Sequence, residues 1–263
     1  MRSIIRFLAA AIVGAASFAS SAPLFAQQGY VHEVSGNVFG QVGSGQPARV
    51  EKGMTLPTGS IVTTEAKSYA VLKFEDGTVV LLKENTSFQI QNYSYAPKAP
   101  ENSSAVFNLL KGGLRMITGL VTSRNRDAMK VATPHATIGI RGTEFTAELT
   151  NPLFVATQVG VVSLTNAAGT LLVSAGQAAT VLSAATLPSL VSLIQIPTGV
   201  LNFPKVPLPP ATPAVVGQTA GTVGGGSVGG AAGAGTAAVA GGAVAAGVAV
   251  SSQNASSTTH HSK

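Results

Sequence analysis

The stretch TPHATIGIRGTEF, residues 133–145, gathers the side chains of this sequence most able to do chemistry. It is a β-like run crossed by Gly139 and Gly142, with Arg141 and Glu144 set among them. In strand alternation Ile138 and Ile140 face one way, and Gly139 and Arg141 the other. Gly142 breaks the run, and Thr143, Glu144 and Phe145 restart it. A glycine there suits a backbone conformation that other residues resist. The forked donors of Arg141 would then reach strand-end carbonyls or a carboxylate, with Glu144 or Glu75 as partner. Two readings follow. In the first, Arg141 is a buried or half-buried residue that fixes a corner of the fold. In the second, it contacts a ligand. The corner reading comes first, and it expects Arg141→Ala to cost about 2–4 kcal/mol of stability.

The remaining sequence offers little for catalysis. Its four histidines are His32, His135, His260 and His261. The last pair sits in a polar terminus and would hold a transition metal only weakly. His135 follows Pro134 in a strand context and reads as structural or surface. There is no Cys, no HExxH, no GxSxG and no P-loop, which removes thiol chemistry, cysteine metal sites and the common hydrolase and nucleotide signatures. Among ten acidic residues, Glu144 and Glu148 would share one face of a strand but stand well apart along it, so no carboxylate pair is set for glycoside hydrolysis. Turn chemistry already accounts for Asp76. Net charge is +6, with Arg2 and Arg6 in a segment expected to be removed, and basic residues interleave only weakly with aromatics. That pattern is too thin for a nucleic-acid platform. The sequence therefore points away from an enzyme, a cofactor, a metal and a nucleic acid.

The elements that position these residues read as β throughout, from about 30 to 185. YAVLKFEDGTVVLL, residues 69–82, has two β-rich arms around Asp76-Gly77, a hairpin signal, with Leu72 and Phe74 pointing inward. Residues 105–121, AVFNLLKGGLRMITGLV, have the apolar content of a helix, but their glycines argue for two short strands around a Gly112-Gly113 turn. MKVATP is a strand ended before Pro134. A weak internal echo links NVFGQVGSGQPARVEKGMTLPTGSIV with VVSLTNAAGTLLVSAGQAATV. Repeated tight corners of this kind suit a β-roll or short β-solenoid, and a β-sandwich uses the same local signals.

The two ends differ from this body. Residues 1–26 carry a basic start, an apolar run and a small Ala26 before Gln27, the pattern of a signal peptide leading to an extracytoplasmic location: periplasm, cell envelope or medium. Residues 186–216 are apolar and proline-rich and read as an extended linker. Residues 217–250 are rich in Gly and Ala and free of charge, with Gly221, Gly225, Gly229 and Gly233 four apart. That spacing gives either a zipper-like face for membrane association or self-association, or a disordered tail. Residues 251–263 are a flexible polar terminus.

Several motifs in order carry a family resemblance. ATPHATIGIRGTEF looks like the signature of the FecR domain family, extracytoplasmic β domains named for the regulator of ferric-citrate uptake. Upstream, GSIVTTEAKSYAVLKFEDGTVVLLKENTSFQI and LLKGGLRMITG resemble the family's preceding elements, so that the likeness covers roughly residues 34–150. The resemblance implies an envelope location and a protein- or ligand-binding role, and no enzymatic activity. Well-known members have an anti-sigma segment and a membrane span before the domain; this chain is expected to start with a signal peptide instead. Two function classes stand: a non-catalytic envelope module that contacts a protein or surface glycan, and a sensory component of a signalling system related to iron-uptake regulation. Asp76, Gly77, Gly112, Gly113, Pro134, Gly139, Arg141, Gly142, Thr143, Glu144 and Phe145 are the residues expected to build the fold or touch the partner.

Overall fold

Short runs rich in Val, Ile, Phe and Thr, punctuated by Gly, Asn and Pro, form seventeen strands in the computed structural model, which describes residues 28–125 and 127–211. The expected signal peptide, the Gly/Ala-rich segment and the polar terminus lie outside the described residues.

The strands form two layers. Sheet A runs in the order β4 (Thr55–Leu56), β1 (Gly29–Ser35), β6 (Tyr69–Phe74), β7 (Val79–Leu82), the second part of β9 (Ser104–Ile117), β12 (Glu144–Leu149), β13 (Leu153–Val159), β16 (Ala178–Val181) and β17 (Ser189–Val191). Sheet B runs β3 (Ala48–Arg49), β2 (Val38–Val42), β5 (Ser60–Thr64), β8 (Ser87–Ser94), the first part of β9, β10 (Met129–Ala132), β11 (Thr137–Ile140), β14 (Val161–Asn166) and β15 (Gly169–Ser174). Neighbours are antiparallel except β9 and β10, which are parallel. The layers face each other as in a sandwich, while the chain advances along both in sequence order, as in a roll. The two echoing segments lie at opposite ends of sheet B, in the β2–β3 and β14–β15 hairpins.

One apolar core fills the space between the layers. Alternate residues point into it: Leu72 and Phe74 from β6, Val80 and Leu82 from β7, Phe145 and Ala147 from β12, and Ile138 and Ile140 from β11. Phe74 of sheet A meets Tyr93 and Phe107 of sheet B at ring-centroid distances of 5.0 and 5.1 Å, and Phe107 stacks on Phe88 at 5.4 Å. Contacts of this type add about 0.5–1.5 kcal/mol each beyond area burial.

The segment at 105–121 departs from the expected Gly-Gly turn. β9 continues through Gly112 and Gly113, and instead of reversing, it passes from one layer to the other. Its first part pairs with β8, down to Lys111 opposite Ser87. Its second part pairs with β12, from Gly112 opposite Leu149 to Ile117 opposite Glu144. Gly112 has φ +78° and a Cβ there would stand 2.5 Å from Thr86 Oγ1 and 2.6 Å from Thr86 Cα. The positive φ bends the strand without closing a hairpin, because the residues on either side still find partners.

The Pro-rich segment also differs from a free linker. Up to residue 211 it is laid on the domain. β17 pairs with β16, and Ser192 caps a 3-10 turn over Leu193–Gln195. Phe203, Val206 and Leu208 then pack on Val71, Val79 and Leu81, the outward residues of β6 and β7. Proline keeps such a segment extended, and the apolar outer face of two central strands gives it something to bury.

Gly112→Ala is expected to lower stability by about 2–4 kcal/mol, the sum of left-handed strain and a backbone collision. Gly142→Ala, at φ +67° with nothing within 4 Å of the added Cβ, is expected to cost only about 1 kcal/mol. Urea unfolding of the two variants side by side checks this, and equal losses would contradict the crossing as described.

Candidate functional site

The Asp76-Gly77 turn is more than a reversal. Gly77 has φ +91°, which closes the turn with its N–H donating to Phe74 O at 3.0 Å. That geometry aims Asp76 into the protein, where it is fully buried. Its Oδ1 accepts from the Thr78 N–H at 3.1 Å and the Tyr93 hydroxyl at 3.0 Å. Its Oδ2 accepts from the Thr78 hydroxyl at 2.7 Å and the Val121 N–H at 3.2 Å. The Asp76 N–H donates to the Tyr93 oxygen at 3.0 Å, and its carbonyl accepts from the Leu120 N–H at 2.9 Å. Three separate segments therefore meet on one residue: its own turn, β8 through Tyr93, and the 3-10 turn Leu120–Thr122. Gly119 lets that last segment approach, since a Cβ there would stand 2.3 Å from the Asp76 carbonyl. Burial, and then the nearby Asp76 carboxylate, push the Tyr93 hydroxyl well above its ordinary value of 10.0.

The 133–145 stretch links sheet B to sheet A. Thr133 closes the β10–β11 turn, accepting from the N–H groups of His135 and Ala136 and donating to Ala136 O at 2.7 Å. Pro134 and His135 form its tip, so His135 lies in a turn. Gly139 lies under Ser163, whose Oγ would be 2.5 Å from an added Cβ. After Ile140 the chain crosses to sheet A through Gly142. Thr143 is then fastened to Thr118 by a reciprocal pair: its N–H donates to Thr118 Oγ1 at 2.8 Å, and its carbonyl accepts from the Thr118 N–H at 3.0 Å. Phe145 drops into the core.

Arg141 corrects the corner reading. Its side chain is 44% exposed and reaches Asp127 at 3.5 Å. Neither Glu144 nor Glu75 is its partner. Glu144 opens β12 on the outer face of sheet A, where Arg115 of β9 is a cross-strand neighbour and holds its Oε1 through Nε at 2.9 Å and also through Nη2. Glu75 accepts from the Gln28 N–H at 3.4 Å. The crossing at Gly142 turns Glu144 away from the loop that carries Arg141. Glycine geometry and the Thr118–Thr143 pair fix this corner, with no contribution from a buried guanidinium.

Seven of the eleven named residues fall into two groups. Asp76, Gly77, Gly142, Thr143 and Glu144 gather near Thr118 and Gly119, where Ile117, Val159 and their neighbours line a shallow depression of about 330 Å³. Gly112, Pro134 and His135 line a separate cleft of about 600 Å³, with Lys83 and Glu148 on its wall. Sequence reasoning missed Lys83. Its Nζ lies 2.8 Å from Glu148 Oε1, with the two side chains 12% and 7% exposed. The same Nζ donates to Gly199 O at 3.3 Å and sits 5.7 Å from the Phe203 ring centroid, while Glu148 Oε2 accepts from the Leu201 N–H at 2.6 Å. This pair latches the Pro-rich strap to sheet A. No local pattern could reveal it, because the partners are 65 residues apart in sequence. Glu144 and Glu148 do share a face, and each is held by its own cation. Among the described residues no group of three or more His, Cys, Asp or Glu is placed to hold a metal.

Layered hairpins whose polar groups are mostly taken up by turns and crossings define an all-β domain. More specifically, residues 60–178, from β5 into β16, match the family model described as FecR protein. FecR proteins are envelope-associated. Crystal structures of a candidate anti-sigma factor from Parabacteroides distasonis ATCC 8503, at 1.65 and 2.50 Å resolution, are similar over 50% of this chain at 14% identity and a TM-score of 0.38. The likeness spans 57% of the length of those chains. No curated protein matches. Among the described residues no helix is long and apolar enough to cross a membrane.

Two outcomes follow. Asp76→Asn places an amide donor against donors, and it is expected to cost about 2–4 kcal/mol in urea unfolding, while Arg141→Ala stays within about 0.5 kcal/mol. In an alkaline titration followed by tyrosine absorbance, Tyr93 is expected to ionise only as the protein unfolds. Its raised value makes its contribution complete below about pH 10 and progressively lost above that. The Tyr93→Phe variant should lack that step. A reversible Tyr93 ionisation in folded protein would contradict the cage.

Proposed function

We propose that this chain is a non-catalytic binding module of the bacterial cell envelope whose FecR domain contacts a protein or a surface glycan, with an extended protein segment as the better fit. One observation carries the reading. The outer face of sheet A already holds an extended apolar peptide, the chain's own strap, with Phe203, Val206 and Leu208 on Val71, Val79 and Leu81. The Lys83–Glu148 pair supplies main-chain contacts at Gly199 and Leu201. Apolar side-chain sites flanked by main-chain hydrogen bonds are the usual means of recognising an extended segment. A partner with similar chemistry would compete with the strap for this face. Several polar groups of the FecR motif support the same reading, since the Thr133 turn, the Thr118–Thr143 pair and the Glu144–Arg115 pair hold the scaffold. The envelope location rests on the family and on the signal-peptide pattern of residues 1–26.

A sensory or signal-relay role in an envelope system related to iron-uptake regulation is the second reading, supported by the FecR match. It differs in requiring that occupancy of the domain change the state of a partner.

A fluorescent peptide of residues 196–211 tests the first reading. The tethered strap competes at an effective concentration of roughly millimolar. The peptide is therefore expected to bind the Phe203→Ala chain with Kd in the tens of micromolar, and the parent chain at least tenfold more weakly. If neither chain binds it, the face is not a peptide site.

A further inference from the structure

The two ends of the layered domain are built differently. At one end the edge strands β3 and β4 are only two residues long, and Arg49, Glu51 and Lys52 lie on or between them. Short strands and charges are the common protection of a sheet edge. At the other end the edges are β15 in sheet B and β17 in sheet A. Each pairs with a single neighbour, β14 and β16 respectively. β15 is six residues long, GTLLVS, with no charge, proline or bulge.

This second end carries no charge at all. From Leu149 to Pro204 the sequence contains no Asp, Glu, Lys, Arg or His, although charged residues recur throughout residues 32–148. It is also where large apolar side chains are left in solvent: Leu172 at 54%, Leu187 at 56%, Leu190 at 49% and Ile194 at 94% exposed. Leu190 is the most telling. It lies opposite Ala179 of β16, and directly opposed residues share a face. Ala179 is fully buried in the core. Leu190 therefore points to the core side of sheet A and is still half exposed, which means that the core is uncapped at this end.

We infer that this uncharged end is an interface, and that its occupant is a second copy of the same chain, docked end to end about a two-fold axis. Charge decides between the arrangements. Pairing the two uncharged ends removes no ionised group from water, whereas docking this end on the Arg49–Lys52 end or on the rest of the body would desolvate charges. Like-with-like contact also makes the association closed, giving a dimer and no filament. An antiparallel meeting of edge strands is self-complementary, so β15 of one copy can continue sheet B of the other. Leu190, with Leu171 on the core side of β15, then caps the partner's open core. This interface is separate from the strap-covered face and does not depend on the binding role assigned to it.

Sedimentation velocity of the full chain at micromolar concentration is the test. The parent is expected to sediment as a dimer. Leu190→Lys and Ile194→Lys, each placing a charge at the end, are expected to weaken the dissociation constant at least tenfold. Val42→Lys, on β2 towards the charged end, is expected to leave it unchanged. Ile194 is almost fully exposed, so its variant folds irrespective of the interface, and circular dichroism melting confirms folding for all three. A monomeric parent overturns the inference. So does an oligomer that persists in both end variants, which would place self-association elsewhere in the chain, or one that Val42→Lys disrupts equally.

Discussion

Asp76 brings a carboxylate into the interior, and its polar atoms must be met there by donors that cannot move away. The four donors come from its own turn, from β8 and from the turn after β9. A buried carboxylate with a missing donor is costly, so each of these segments is held in register by the need to satisfy the others. The Asp-Gly turn can only be placed correctly once β8 has delivered Tyr93 and the chain leaving β9 has brought Gly119 and Val121 to it. Local turn chemistry and long-range topology are thereby coupled at one side chain. That side chain stands beside the Phe74–Tyr93–Phe107 cluster, which joins the two layers.

The second constraint is the passage of β9 between sheets. A strand that serves both layers makes the two sheets one continuous hydrogen-bonded surface. Gly112 allows the bend, Thr86 packs against it, and the Thr118–Thr143 pair fastens the far end of the same strand to the FecR motif. Apart from the exposed Arg141, the motif residues are accordingly joints between elements. The surface left for recognition lies elsewhere: on the outer face of sheet A beneath the strap, and at the uncharged end.

Much of this was legible from the residues. The alternation in YAVLKF and the Asp-Gly step gave the β6–β7 hairpin with Leu72 and Phe74 inward, and the ordered motifs gave the FecR domain. The all-β class followed from the glycine-punctuated runs. What was not legible depended on contacts between distant segments. Gly112-Gly113 looks the same in sequence whether the chain reverses or bends, and only the partners on either side decide. Arg141 and Glu144 are close in sequence, yet the crossing at Gly142 separates them and gives Glu144 to Arg115. The strap read as linker because proline excludes regular structure, but it does not exclude an extended segment from packing on an apolar face. Lys83 and Glu148 meet only because β7, β9 and β12 are neighbours in sheet A.

The most direct measurement is native-state hydrogen exchange at the amides of Asp76, Thr78, Gly119 and Val121. If the Asp76 cage holds the layers together, these four amides open only with the whole domain, and their exchange free energies equal the global stability from urea unfolding. If they exchange as freely as the exposed loop amide of Arg124, the turn opens by itself and the domain is held together by something else.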